Sequence, residues 1–263
     1  MRLLVTNDDG IASPFLHALV RALQAAGHQT LVVAPLHEQS WTGAAKSRHR
    51  PVASAAGDHG LACPTWTVDG TPSDCVNIAL AYLLPRRPGT TVADVEGVVS
   101  GINLGLNTTL GFILASGTVS AAWEGALHGL PALACSQDLD EVTFQQIKDG
   151  GPVTPALAAT LAASSAHAAA LAGELLPRTP QAGFIVHNVN FPTPCTADTP
   201  VVRTVPARVR VPRLFSPAAD DGTHRFVFSD VEDLSPPALV TDKATVAAGR
   251  ISHSVLDYTA LGA

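Results

Sequence analysis

Short apolar runs alternate with helix-period stretches along the first two-thirds of this 263-residue chain, and few folds accommodate that alternation. Leu3-Leu4-Val5 is the first run. Residues 14–26 form an amphipathic helix opened by Pro14 and closed by Gly27, and residues 31–34 are a second run ending at Pro35. A long polar loop, about 36–60, precedes a strand near 66–68 and a helix over 73–84. Then come a strand over 95–100, a helix beginning near Ser116, a strand over 131–135, an Ala-rich helix over 153–176 and a strand over 184–186. This order predicts an α/β fold, a mostly parallel sheet with right-handed crossovers and helices on its faces. After Pro192 the pattern changes: residues 201–211 and 225–228 alternate like strands between Pro, Asp and Gly. The expected division is a core over 1–194 and a β-hairpin-rich extension over 195–263.

What lies just past each predicted strand carries the chemistry. The first run leads into Thr6-Asn7-Asp8-Asp9-Gly10. Neighbouring side chains on a strand point to opposite faces, so two aspartates converge only beyond its end, where Gly10 lets the backbone turn. Two adjacent carboxylates repel, and a cation is the usual remedy. The second strand leads to a loop holding Ser40, and the 95–100 strand leads to Asn103, with Asn107 four residues on. In a parallel sheet these ends share one edge, where open α/β folds place their sites. Carboxylate, hydroxyl and amide oxygens are ligands for Mg²⁺, Mn²⁺ or Ca²⁺. Ser116-Gly117-Thr118 stands immediately before a helix, and such an N-terminus cradles phosphate. A metal and an anion cradle on one edge suit phosphate-ester hydrolysis.

Each feature also has a plainer reading. Asp-Asp-Gly after a strand can be an Asx-turn with a helix cap, and Ser-Gly-Thr can be simple N-capping. In Gly70-Thr71-Pro72-Ser73-Asp74, Ser73 reads as the cap of the next helix. Trp41, beside Ser40, is placed either to stack on a nucleobase or to sit in an interface.

Composition narrows the partners. A net charge of −6 removes the broad electrostatic case for duplex nucleic acid. With 46% hydrophobic and 14% charged residues, much surface is expected to be covered, including between subunits. The apolar stretch 156–176 is interrupted by Thr160, Ser164, Ser165 and His167 and reads as a core helix, so no membrane span is expected. No basic segment followed by an apolar run opens the chain, and Cys63, Cys75, Cys135 and Cys195 form no CxxC pair. Both features point to a cytoplasmic protein with reduced thiols.

Two acidic rivals fit poorly. A receiver module needs a phosphorylatable Asp after a later central strand, where this chain has Val99-Ser100-Gly101. A haloacid-dehalogenase-like phosphatase wants two Asp separated by one residue, the first a covalent nucleophile.

An ordered series of motifs now stands out: Asn7-Asp8-Asp9-Gly10; Glu38-Gln39-Ser40 with Thr42-Gly43; Gly70-Thr71-Pro72-Ser73-Asp74-Cys75; Ser100-Gly101-Ile102-Asn103 with Gly105 and Asn107; and Ser116-Gly117-Thr118-Val119 through Glu124-Gly125. The series resembles the SurE family of survival proteins, metal-dependent 5′/3′-nucleotidases, over most of residues 1–136. Asn188-Val189-Asn190-Phe191-Pro192 and Gly249-Arg250-Ile251-Ser252 continue it more weakly. The resemblance implies a Rossmann-like core with a swapped or extended C-terminal part, assembled as homodimers or homotetramers. It implies one divalent ion per subunit, Mg²⁺ or Mn²⁺, held by Asp8, Asp9, Ser40 and Asn103. Asp8 and Asn107 would be catalytic, with Asn107, Ser116, Gly117 and Thr118 near the phosphate. Implied substrates are nucleoside monophosphates, and some members also act on short polyphosphate. A non-catalytic nucleotide-binding or scaffold protein that keeps the fold is the alternative.

The chain departs from the family pattern in two places. Phe15 stands where Gly is usual. The stretch between Asn107 and Ser116 is one residue longer, and Phe112-Ile113-Leu114-Ala115 replaces a segment that usually carries an acid. This apolar loop bears on substrate preference and removes no metal ligand.

Overall fold

The computed structural model describes residues 1–87, 89, 91, 94–227 and 231–260. In chain order the strands are β1 (Arg2–Thr6), β2 (Gln29–Pro35), β3 (Ser54–Ala56), β4 (Thr65–Val68), β5 (Gly97–Leu104), β6 (Ala132–Gln137), β7 (Ile185–Phe191), β8 (Val201–Thr204), β9 (Val209–Arg210), β10 (Glu232–Asp233) and β11 (Ile251–Asp257). The α-helices are α1 (Pro14–Ala25), α2 (Pro72–Ile78), α3 (Leu110–Ala115), α4 (Gly117–Leu127), α5 (Glu141–Lys148), α6 (Pro155–Leu175) and α7 (Asp242–Ala247).

Among the described residues nine strands form one sheet, in the order β3-β4-β2-β1-β5-β6-β7-β11-β8. The stretch from β4 to β7 is parallel throughout. β11 joins it antiparallel to β7 and is flanked by β8 in parallel, so strands of the C-terminal extension complete the central sheet. From β1 the chain first moves outward to β2 and later returns to the other side as β5. The gap between β1 and β5 is therefore the point where strand order reverses, the usual binding crevice of such sheets.

The two faces are covered by different helices. Val5 and Val99 face a core with Phe15, Leu19 and Leu23 of α1 and Leu161 and Ala168 of α6. Leu4 and Val98 face a second core with Cys75 and Val76 of α2 and Val119 and Ala122 of α4. Phe15 is fully buried in the first core, so that departure from the family pattern is a packing residue. Burying such a side chain stabilises by about 1.5–3 kcal/mol.

Several elements differ from the sequence expectation. α2 is capped by Thr71, not Ser73: Thr71 Oγ1 accepts from Asp74 N–H at 3.1 Å, and the Asp74 carboxylate accepts from Thr71 N–H at 2.9 Å. Pro72 occupies the first helical position, where its missing N–H costs nothing, and that sets the cap one residue before it. α2 ends at Ile78 and continues as a π-helical turn over Ala79–Leu83. The expected loop 108–115 contains helix α3. β5 runs on to Leu104 and β7 to Phe191, both farther than predicted. Of the strand expected over 225–228, Phe228 lies outside the described residues; Phe226 makes an isolated bridge to Phe215. By length and composition Pro155–Arg178 is apolar enough to cross a membrane. Its burial of Leu157, Leu161, Ser164 and Ala168 makes it a core helix here.

β7 and β11 bring His187 and His253 together in the interior. His187 Nδ1 lies 2.9 Å from His253 Nε2, and His187 Nε2 lies 2.7 Å from Thr179 Oγ1, which itself donates to the Leu175 carbonyl at 2.9 Å. Thr179 Oγ1 therefore accepts from His187 Nε2–H and His187 Nδ1 accepts from His253 Nε2–H, an order that requires a neutral His187. Burial, with the neighbouring ring and Arg203, holds His187 down at about 4; burial and Arg203 do the same to His253. An unfolded imidazole titrates near 6.5, so between pH 6.5 and 4 the unfolded chain binds more protons. The stability these rings contribute is complete above pH 6.5 and is lost as pH falls toward 4. We expect His253→Asn to reduce the loss of unfolding free energy across that window, read by urea titration at each pH, by roughly 2 kcal/mol.

Candidate functional site

β1 delivers the chain into the switch point at Thr6. Asn7 then closes the turn, its Nδ2 donating to the Gly10 carbonyl at 2.9 Å, while Gly10 takes φ +91°. The turn therefore uses neither aspartate. Nor does either cap α1, whose cap position is Ser13. Asp8 is buried and Asp9 partly buried.

Three neighbours converge on the pair. From α4, Thr118 Oγ1 donates to Asp8 Oδ1 at 2.5 Å. From β5, Leu104 N–H donates to Asp9 Oδ2 at 3.1 Å, beside Asn103. From the loop after β2, Gln39 N–H donates to the Asp8 carbonyl at 2.8 Å, beside Ser40. The strand ends that the sequence put on one edge thus meet there.

The aim of Asn103 depends on an irregularity in β5. Ser100 pairs with Ala134 and Asn103 with Ser136, so β5 spends one residue more than β6 between these points. Gly101, at φ +127°, occupies the bulge against the Cys135 carbonyl, where a Cβ would collide. A bulge re-aims the side chains that follow it. Asn103 Nδ2 then donates to the Gly105 carbonyl at 2.8 Å, which leaves the amide oxygen as its ligating end.

Burial pushes the Asp8 carboxyl up, and it pushes Asp9 up further with the help of the Asp8 charge. Glu38 adds to both, and Lys148, 3.9 Å from Glu38, offsets part of this at Asp9. Two desolvated, mutually repelling carboxylates, next to the segments that carry the Ser40 hydroxyl and the Asn103 amide, are chemically suited to a hard divalent cation. Among the described residues no three His, Cys, Asp or Glu side chains group into a metal site. A cation here would rest on the mixed set Asp8, Asp9, Ser40 and Asn103.

The anion side is the N-terminus of α4. Ser116 Oγ accepts from Val119 N–H at 3.0 Å, the capping role that the plainer reading assigns it. Thr118 Oγ1 is committed to Asp8, so the first turn offers an anion its backbone and dipole more than its hydroxyls. Gly117 is pressed against Asp8: a Cβ there would stand 2.8 Å from Asp8 Cβ and 3.2 Å from Pro72 Cγ.

Asn107 joins the same edge through Ser136, to whose Oγ its Nδ2 donates at 2.9 Å. Asn190 Oδ1 accepts from its N–H at 2.8 Å, and Asn188 Nδ2 donates to its carbonyl at 2.8 Å. Sequence reasoning missed these holders, although Asn188-Val189-Asn190 on a strand does set both amides on one face. It also missed Lys148, because α5 was not anticipated. Trp41 meets Phe112 and Phe226 edge-on, with ring centroids 5.7 and 4.8 Å apart.

A family model described as survival protein SurE matches residues 3–211. A 5′-nucleotidase SurE of Thermococcus gammatolerans is 37% identical over 221 residues, which is 84% of this chain and 74% of the relative. Proteins of the same name from Desulforudis audaxviator and Gloeobacter violaceus are 47% and 46% identical over 52% of this chain. Those matches span about half the length of each relative, 50% and 49%. The crystal structure of a SurE protein from Aquifex aeolicus superposes with a TM-score of 0.66 at 25% identity, covering 98% of this chain and 93% of that one. The fold, the ordered motifs and the matched family model agree: the chain belongs to the SurE family.

Proposed function

We propose that this chain is a divalent-metal-dependent phosphomonoesterase that hydrolyses nucleoside 5′- and 3′-monophosphates, with one Mg²⁺ or Mn²⁺ per subunit. The observation that carries the reading is the Asp8–Asp9 pair at the β1–β5 switch point, abutted by the N-terminus of α4. The names of the relatives support the nucleotidase class.

Asp8, Asp9, Ser40 and Asn103 would hold the ion, which when bound supplies Lewis acidity toward a phosphoryl oxygen and toward water. Thr118 orients Asp8 by its short hydrogen bond. The α4 first turn, Ser116 to Thr118, takes the phosphate charge, and Asn107, mounted on Ser136, Asn188 and Asn190 at the same sheet edge, would assist it. The aromatic contact of Trp41 and Phe112 lies between Ser40 and Ser116 in sequence and beside the cradle, since Gly43 N–H donates to the Ala115 carbonyl at 3.0 Å. That placement supports a base-bearing substrate; short polyphosphate, which has no base, follows from the family resemblance alone.

The same reading carries a homodimer or homotetramer. Val201, Val205, Phe215, Leu234 and Val240 of the extension are exposed and supply an apolar surface for it. Four unpaired cysteines support a cytoplasmic setting.

The test is phosphate release from a panel of 5′- and 3′-nucleoside monophosphates, with EDTA, Mg²⁺ or Mn²⁺. We expect turnover that EDTA removes and added metal restores. Absence of release under every metal, from folded protein that still binds nucleotide, would overturn hydrolysis in favour of a binding role.

A further inference from the structure

Thr109 has a backbone conformation that threonine rarely adopts. Its φ is +70° and its ψ +154°, in a region populated almost only by glycine. It is 2% exposed, and its hydroxyl has no hydrogen-bond partner, so nothing the side chain does holds the residue there. The residue stands between Asn107 and α3, and α3 runs directly into Ser116 and Gly117 against Asp8. Strain of this kind persists only where the surroundings over-determine it.

What holds it comes from 133 residues away. Asp242, the first residue of α7, is fully buried. Its Oδ2 accepts from Thr109 N–H at 2.9 Å, and its Oδ1 accepts from Ala207 N–H at 2.9 Å and from Lys243 N–H at 2.7 Å. Leu110 N–H in turn donates to the Ala207 carbonyl at 3.1 Å, so residues 109 and 110 are zipped to the extension. Among the described residues no lysine, arginine or histidine pairs with Asp242. Its charge is met by backbone N–H groups alone, and because both oxygens accept, an asparagine with its single oxygen cannot keep both sides of the hold.

We propose that Asp242 is a positioning residue: by gripping the Thr109 N–H it fixes the strained loop that sets Asn107 on one side and the α3–α4 junction on the other. The extension thereby completes the site without touching substrate. The kinetic part of this inference rests on the phosphomonoesterase reading.

The experiment compares Asp242→Asn, Thr109→Gly and the double variant in the full-length, metal-loaded protein. Asp242→Asn should lower kcat about 10²-fold, the scale of a misplaced catalytic group, with KM changed less. Thr109→Gly alone should keep kcat and not lower the Tm, because glycine adopts φ +70° unaided. In the double variant kcat should recover at least about tenfold, a rescue that a merely structural anchor would not show. Full activity in folded Asp242→Asn, or a loss that Thr109→Gly leaves unrepaired, would overturn the proposal. If Asp242→Asn does not fold, a lowered Tm in Thr109→Gly overturns it and an unchanged or raised one supports it. If the wild-type protein releases no phosphate, the activity reading fails while the grip is still read by amide hydrogen exchange. Faster exchange at 107–110 in Asp242→Asn, with β1 and β5 unchanged, supports the grip, and unchanged exchange overturns it.

Discussion

Asp9→Asn is expected to abolish metal-dependent phosphate release, by about 10³-fold or more, in a protein that remains folded. An ion that supplies several kcal/mol of charge stabilisation accounts for that factor, since each 1.36 kcal/mol is tenfold in rate. The fold survives because an asparagine oxygen can still accept the Leu104 N–H that Asp9 Oδ2 accepts now. Removing one of two adjacent like charges also relieves repulsion in the metal-free chain. Its Tm should therefore rise by a few degrees, about 2–4 °C for each kcal/mol at this size. Added Mn²⁺ should stabilise the wild type and not the variant. Thermal melts with and without Mn²⁺, beside the phosphate assay, check both halves. Normal turnover in the variant would refute the metal assignment.

Gly117→Ala should cut kcat about 10²-fold although alanine favours helices. Helix propensity alone predicts a gain of about 1 kcal/mol. The packing decides otherwise: the new methyl would lie 2.8 Å from Asp8 Cβ, 3.0 Å from Asp8 Oδ2 and 3.2 Å from Pro72 Cγ. Neither neighbour yields easily, because Asp8 is held by Thr118 and Pro72 begins α2. The α4 terminus must retreat instead, which separates the anion cradle from the metal ligands; overpacking of this kind costs about 1–3 kcal/mol. Steady-state kinetics with a urea titration separates the two losses. An increase in stability with unchanged kcat would show that α4 does not abut Asp8 as described.

Most of the framework was legible because its signals are local. Pro14 and Gly27 bracket α1, the apolar runs mark β1 and β2, and Asp8-Asp9-Gly10 can converge only past a strand end. Where the reading stopped short, the reason was a polar or glycine residue inside an element. Gly101 ended the predicted strand at Ser100, yet β5 crosses it by bulging. Asn188 and Asn190 lie past the predicted strand end at 186, yet both are buried in β7, where they hold the Asn107 backbone. Gly111 within a six-residue helix hid α3. α5, short and half polar, hid Lys148 with it.

By itself, the sequence determined the alternating α/β order, the edge on which the carboxylates, Ser40 and Asn103 must fall, and the family to which the chain belongs. These follow from periods and turns that span a few residues, where backbone sterics decide. Only the tertiary structure decided how those groups are aimed: the bulge that turns Asn103, the Asn188–Asn190 mount of Asn107, the abutment of Gly117 on Asp8, and the hold of Asp242 on Thr109. Each depends on two segments far apart in the chain meeting at hydrogen-bond or van der Waals distance, and such contacts have no local period to read.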